Sequence, residues 1–180
     1  AGLTYVAQSG ALNESVSDVF GILVKQMHEQ ETAETSDWLI GEGLFTDRVK
    51  GVALRSMKAP GTAYDDPVLG RDPQPAHMDD FEDLPHDAEH DNGGVHTNSG
   101  IPNRAFYLAA SALGGYAWER AGQIWFDTIT AKGVPKDIDF AGFAARTVAA
   151  ASKRYGKGSE EASAVEEAWA TVGVDLPSAG

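Results

Sequence analysis

Apolar side chains recur with helical spacing at both ends of this chain and lose all period between them. Near the start, Leu12, Val16, Val19, Phe20, Leu23 and Met27 fall at i, i+4, i+7, i+8, i+11 and i+15, one stripe of a long helix expected over residues 9–28. The same signal returns after residue 98. A helix over 99–113 is expected, with Ser99 as its cap, Pro102 in its tolerant first turn and Gly114-Gly115 behind Leu113. A second, over 116–131, carries Trp118, Ala121, Ile124, Trp125 and Ile129. Asp139 is placed to cap a third over 140–155, closed by Gly156, and Ser159 a fourth over 159–171. Short connections make neighbouring helices antiparallel, so the expected fold is mainly α, a helical bundle forming one domain over residues 1–180. The last four residues, Pro177 to Gly180, are expected to fray.

Residues 40–98 behave differently. Pro60-Gly61, Asp65-Asp66-Pro67, Pro73, Pro75, Asp79-Asp80 and Asn92-Gly93 break every period. Irregular segments this long inside a compact domain are functional or disordered. Trp38, Phe45, Leu54, Met57, Tyr64, Met78 and Phe81 are interleaved through and just before it, which favours an ordered segment that builds a site.

Composition narrows the chemistry. No apolar run reaches the roughly eighteen residues of a membrane span. The first residues show neither the charged start nor the apolar stretch of a signal peptide. There are no cysteines, which removes disulfides, thiolate metal sites and cysteine nucleophiles. With 27 acidic against 14 basic residues and a formal net charge of −13, no basic footprint for nucleic acid is visible. That acidity suits solubility or the attraction of metal cations.

Four groups of residues could carry chemistry. Glu14 and Asp18 stand one helical turn apart, roughly opposite the apolar stripe. Such a pair either ligates a metal, with one carboxylate orienting a neighbouring ligand, or forms a solvated acidic face. His96 follows a glycine turn, with Asp91 near enough to fix its tautomer, so it could act as acid, base or oxyanion donor or be a plain loop histidine. His86-Asp87-Ala88-Glu89-His90 matches an inverted zinc-peptidase pattern, but Pro85 before it and Asn92-Gly93 after it leave no room for the helix that pattern needs. Arg55 is either a salt-bridge partner or a forked donor to a substrate carbonyl.

Taken in order, Ala1-Gly2-Leu3-Thr4-Tyr5, Ser9-Gly10-Ala11-Leu12-Asn13-Glu14, Asp18-Val19-Phe20-Gly21, Asp37-Trp38-Leu39-Ile40-Gly41-Glu42, Leu54-Arg55-Ser56-Met57 and residues 91–100 resemble the thermolysin-like family of neutral metalloendopeptidases, in wording closest to its protealysin-like branch. The resemblance runs over nearly the whole chain, to Ala170-Thr171-Val172-Gly173-Val174. It implies that Glu14 is a zinc ligand and that Asp18 supports a ligand histidine. It also implies that His96, partnered by Asp91 and assisted by Tyr5, stabilises the oxyanion. Arg55 would bind the substrate carbonyl beside the cut, and Leu54 would line the pocket for the residue after it. The implied activity is zinc-dependent hydrolysis of internal peptide bonds in protein or peptide substrates, by a secreted enzyme, before apolar residues.

Two departures qualify this. The H-E-x-x-H helix, which brings two histidine ligands and the general base and by resemblance stands just before Ala1, is not in the sequence. Glu14 alone cannot hold catalytic zinc, which takes three protein ligands. The chain by itself is therefore expected to be inert, to need the enzyme's N-terminal lobe as partner, and to leave self-association open as a way of covering its surface. The family's paired calcium site would align at Lys25, Asp37, Leu39 and Glu42, of which only Asp37 and Glu42 are acidic. One calcium ion at most is expected there, and Lys25 could stand in for it electrostatically. The competing readings are a non-catalytic helical interaction module and a self-contained metal protein built on His86, Glu89 and His90.

Overall fold

The computed structural model describes residues 2–177, so the last three residues of the expected frayed end lie outside it. Its first helix, α1 (Ala7–Glu29), starts two residues before the expected position. Leu12, Val16, Val19 and Leu23 are buried as the stripe required, but Met27 is 51% exposed while Ile22 and Gln26 are buried. The inward face is wider than one stripe because α1 touches α2 (Asp91–Asn98), α3 (Gly100–Leu113), α4 (Ala121–Thr130) and α5 (Phe140–Tyr155). For the same reason the face carrying Asp18 is not solvated. Its carboxylate lies inside the fold.

The helical end packs around aromatic side chains. The last helix, α6 (Glu160–Thr171), lies against both α3 and α5, and α4 against α5. Phe106, Trp125, Phe143 and Trp169 are all buried. Phe106 meets Trp125 edge-on with ring centroids 5.0 Å apart, and Trp125 stacks on Trp169 at 6.3 Å. Each such ring adds roughly 1.5–3 kcal/mol of apolar burial. The indole N–H of Trp169 is satisfied by Thr147 Oγ1 at 2.9 Å.

Both expected caps at this end are present. Asp139 accepts from the Gly142 amide at 2.7 Å and Ser159 from the Ala162 amide at 3.2 Å. Two expectations fail. Helix α4 starts at Ala121, not 116, because residues 116–120 form a turn in which Tyr116 stacks on Trp118. Ser99 is not a cap: its own φ and ψ are helical, its hydroxyl donates back to the His96 carbonyl, and helix already precedes it through α2.

Residues 40–98 are ordered by short pairings and buried carboxylates. Strand β1 (Leu39–Ile40) pairs antiparallel with β2 (Arg55–Ser56), and β3 (Asp65–Asp66) with β4 (Gly70–Arg71). Asp66 accepts from the amides of Lys50, Leu69 and Val68, and these bonds, Lys50's first, hold its carboxyl below the usual range. Asp72 accepts from Gly61, Ala63 and Gln74 amides, so one carboxylate ties two stretches of loop, 61–63 and 72–74, together. Among the described residues no helix is long and apolar enough to cross a membrane.

Candidate active site

The site forms where the first half of α1, strand β2 and the start of α2 meet. Local backbone sets the histidine. Asp91, Asn92, Gly93 and Gly94 all have positive φ, between 50° and 84°, a single left-handed turn that only Gly and, at some cost, Asn or Asp adopt. The turn brings the Asp91 carboxylate back over the right-handed segment that follows. Oδ2 accepts from the amides of His96 at 2.8 Å and Thr97 at 3.2 Å, capping that segment, while Oδ1 lies 2.5 Å from His96 Nδ1. An ionised carboxylate only accepts, so Nδ1 carries a proton, and that bond aims the ring's other nitrogen.

That other nitrogen faces α1. His96 Nε2 is 3.0 Å from the Tyr5 hydroxyl, which donates to Glu14 Oε1 at 2.5 Å; Glu14 Oε2 is 3.6 Å from Nε2. Four side chains from three segments thus form one chain of polar contacts, from Asp91 through His96 and Tyr5 to Glu14. Desolvation of the Tyr5 hydroxyl, then its hydrogen bond to Glu14 and the charges of Glu14 and Asp91, push its pKa up to about 12. The phenol therefore stays a neutral donor at any physiological pH.

Beside this chain stands the arginine. Arg55 Nε and Nη2 donate to the two oxygens of Asp18 at 2.8 and 2.6 Å, and Asn103 from α3 donates to Asp18 Oδ2 at 2.9 Å. The two-point grip on Asp18 leaves Arg55 Nη1 without a partner among the described residues. Arg55 and His96 border a cleft of about 320 Å³ with Leu54, Phe45, Tyr64 and Leu69, an apolar pocket with a guanidinium and an imidazole at its rim.

The structure does not unite every candidate. His86, Glu89 and His90 gather no metal set: Asp87 caps the short turn Ala88–His90 and pairs with His90 Nδ1 at 2.7 Å, and among the described residues no three His, Cys, Asp or Glu side chains converge as a metal site. Asp37 and Glu42 do come together, with Lys25 Nζ between them, 2.8 and 3.0 Å from the two Asp37 oxygens and 3.0 Å from Glu42 Oε2. Sequence reasoning missed two supports. Asn103 holds Asp18, and Gln74 donates to the His96 carbonyl at 2.7 Å and to Ser99 at 2.9 Å. Neither sits in a local pattern that would single it out.

Residues 1–174 match the model of a protein family described as thermolysin metallopeptidase, alpha-helical domain. The chain belongs to this family. It is 56% identical over 176 residues to an extracellular metalloprotease of Pectobacterium carotovorum subsp. carotovorum, covering 98% of this chain and 49% of that protein. To the thermolysin of Alicyclobacillus acidocaldarius subsp. acidocaldarius it is 36% identical over 181 residues, covering 97% and 30%. Among solved structures it resembles the precursor of protealysin, a metalloproteinase from Serratia proteamaculans, with a TM-score of 0.90, 62% identity, and coverage of 97% of this chain and 52% of that one. The chain spans half or less of the length of these curated relatives. Family membership agrees with the mainly helical fold read from the periodicity, and the helices described above are that family's α-helical domain.

Proposed function

We propose that this chain forms one wall of the cleft of a zinc-dependent endopeptidase, acting outside the cell on protein or peptide substrates, and that an N-terminal lobe of the same enzyme supplies the other wall. The observation that carries the reading is the contact chain Asp91–His96–Tyr5–Glu14, standing beside a buried carboxylate that grips Arg55. The relatives named above, one described as extracellular and all but one bearing a protease name of their own, support both the activity and the location.

The donor set fits zinc only in part. Glu14 is a carboxylate at the cleft edge and suits one position of a catalytic site, whereas three protein ligands are required. Two must come from outside these residues, so the isolated chain is inactive in this reading. Zinc, when held, lowers the pKa of a bound water and polarises the scissile carbonyl. The chain's own groups do the rest. Asp91 keeps the imidazole in one orientation, and the Tyr5 hydroxyl turns from Glu14 toward the oxygen that gains charge in the transition state, joined by His96 Nε2 when that nitrogen too carries a proton. Arg55 Nη1 donates to a substrate carbonyl beside the cut. Asp18, besides anchoring Arg55, supports a ligand histidine of the N-terminal lobe. The pocket of Leu54, Phe45, Tyr64 and Leu69 favours an apolar side chain after the cut. Calcium has no such fit: the Lys25 ammonium already occupies the space between Asp37 and Glu42, and a dication there would meet it at close range.

The test uses the intact enzyme that contains this chain. His96→Ala should cut kcat by about 100- to 1,000-fold with zinc content near normal. Glu14→Ala should lose the zinc itself. If His96→Ala instead releases the metal, the roles are misassigned.

A further inference from the structure

A groove of about 670 Å³ runs between the end of α4 and the C-terminal half of α5. It shares no residue with the cleft of Leu54, Arg55 and His96. It is lined by the small side chains Thr128, Ala131, Ala149 and Ala150 and by Lys132, Arg146, Lys153 and Arg154, with Asp127 as the one carboxylate. Four of the chain's 14 cationic residues thus converge on one groove of a molecule whose net charge is −13.

Two of the four are fixed. Arg154 grips Asp127 through Nε and Nη2 at 2.7 and 2.9 Å, and Arg146 Nη2 donates to the Gly133 carbonyl at 2.8 Å. These bonds set the walls and leave the guanidinium charges facing an acid already neutralised by one of them. Lys132 and Lys153 make no hydrogen bond or ion pair among the described residues. The α5 macrodipole explains cations in its last turn, Lys153 and Arg154. It does not explain Arg146 in mid-helix; Lys132 stands just past the C-terminus of α4, where that helix's own negative end favours a cation.

We propose that this groove docks a short acidic peptide segment of a partner protein. The small alanine side chains let a main chain approach the two helices closely, while the four cations offer more positive charge than Asp127 can balance. The rest of the surface selects the ligand's size. Screening confines the field of each charge to about 8 Å at physiological salt. A short acidic segment therefore feels the groove, whereas a long polyanion such as duplex DNA or an anionic bilayer must also lie against the chain's acidic remainder.

The test is fluorescence anisotropy with the intact enzyme containing this chain and a labelled hexapeptide of Asp and Glu. A Ser/Gly hexapeptide, a labelled DNA duplex and phosphatidylserine vesicles serve as comparisons. The acidic peptide should bind at least about tenfold more tightly than the neutral one and weaken by at least about tenfold between low and high salt. The double charge reversal Lys132→Glu/Lys153→Glu should abolish that preference. The neutralised pair Lys132→Gln/Lys153→Gln should weaken it to an intermediate degree, with an unchanged thermal midpoint showing that the fold is intact. Equal affinity for the two hexapeptides, binding that survives the charge reversal, or binding to DNA or vesicles in preference to the acidic peptide would each overturn the proposal.

Discussion

Asp18 and Arg55 meet as a two-point pair inside the fold, Nε to Oδ2 at 2.8 Å and Nη2 to Oδ1 at 2.6 Å, with Asp18 only 7% exposed. Burial alone would loosen the guanidinium's hold on its proton, but the Asp18 hydrogen bonds and charge outweigh it and raise the Arg55 pKa. One helix therefore positions a strand's cation, and Asn103 on a second helix fixes the carboxylate in turn. Truncating Asp18 leaves a partly buried guanidinium without its acceptor, and truncating Arg55 leaves a buried carboxylate without its cation. Asp18→Ala should destabilise the enzyme by about 3–5 kcal/mol, and Asp18→Asn by less because an acceptor remains. Denaturant titration reads this directly. A loss below about 1 kcal/mol would show that solvent reaches the pair.

The left-handed turn at residues 91–94 makes a second prediction. Gly93 has φ of 84°, and a Cβ there would lie 2.9 Å from His86 Cδ2 and 3.2 Å from the Ala7 backbone. Gly93→Ala therefore combines a strained backbone with a clash against α1, at a cost of about 1–3 kcal/mol. Because the turn aims Asp91 at His96, the variant should also lose activity with zinc retained. Asn92→Gly, relieving a non-glycine residue at φ 50°, should be neutral or slightly stabilising. Activity that survives Gly93→Ala unchanged would mean that the turn does not position the histidine.

How much of this could be read from the sequence depends on how far apart the partners lie. The caps Asp139 and Ser159 were legible because a cap needs only a residue two or three places on. The apolar period overshoots the start of helix α4 because Tyr116 and Trp118 continue it, although they stack on each other in a turn. Burial of Asp18 was not legible at all. Its partners stand 37 and 85 residues away, and on spacing alone an acidic pair on a helix is a solvated face. Met27 fell on the apolar stripe yet emerges at the surface, since α1 is contacted from several sides and its buried face turns with them. Asp91 and His96 were paired from sequence proximity, but the means of pairing, four successive left-handed residues, was masked by Asn92-Gly93, which reads as an ordinary turn.

Tyr5 offers a spectroscopic test. Its pKa of about 12, against an ordinary value near 10, means that the folded state holds the phenolic proton more tightly than the unfolded state does. Between those two values the native protein binds more protons, so this group's contribution to stability is complete below about pH 10 and is lost as pH rises toward 12. In the metal-free protein, the wild-type minus Tyr5→Phe difference in phenolate absorbance should therefore rise well above pH 10. A difference that titrates at the ordinary value would remove the hydrogen bond to Glu14. Tyr5→Phe should also lower kcat while leaving zinc content unchanged, since Glu14 keeps its carboxylate.

Lys25, Asp37 and Glu42 form the last testable cluster. Burial opposes the Lys25 charge, but hydrogen bonds to Asp37 and Glu42 win and raise its pKa; Asp37 is likewise held below the usual range against its own desolvation, chiefly by Lys25. The signs follow from linkage. A depressed carboxyl stabilises the fold above its unfolded value near 3.9 and loses that contribution as pH falls through the folded value. A raised ammonium stabilises below about 10.4 and loses its contribution as pH rises through the folded value. The cluster therefore contributes fully between about pH 4 and pH 10. The side chains of Asp37 and Glu42 are 34% and 53% exposed, so solvent screening keeps the contribution small. Lys25→Met should cost about 1 kcal/mol at neutral pH and low salt, with much of the difference gone in 1 M salt. Measured as a shift in denaturant midpoint, the gap between wild type and variant should also close as pH falls below the carboxylate range. A gap that persists in acid would assign Lys25's contribution to packing of its stem and not to its charge.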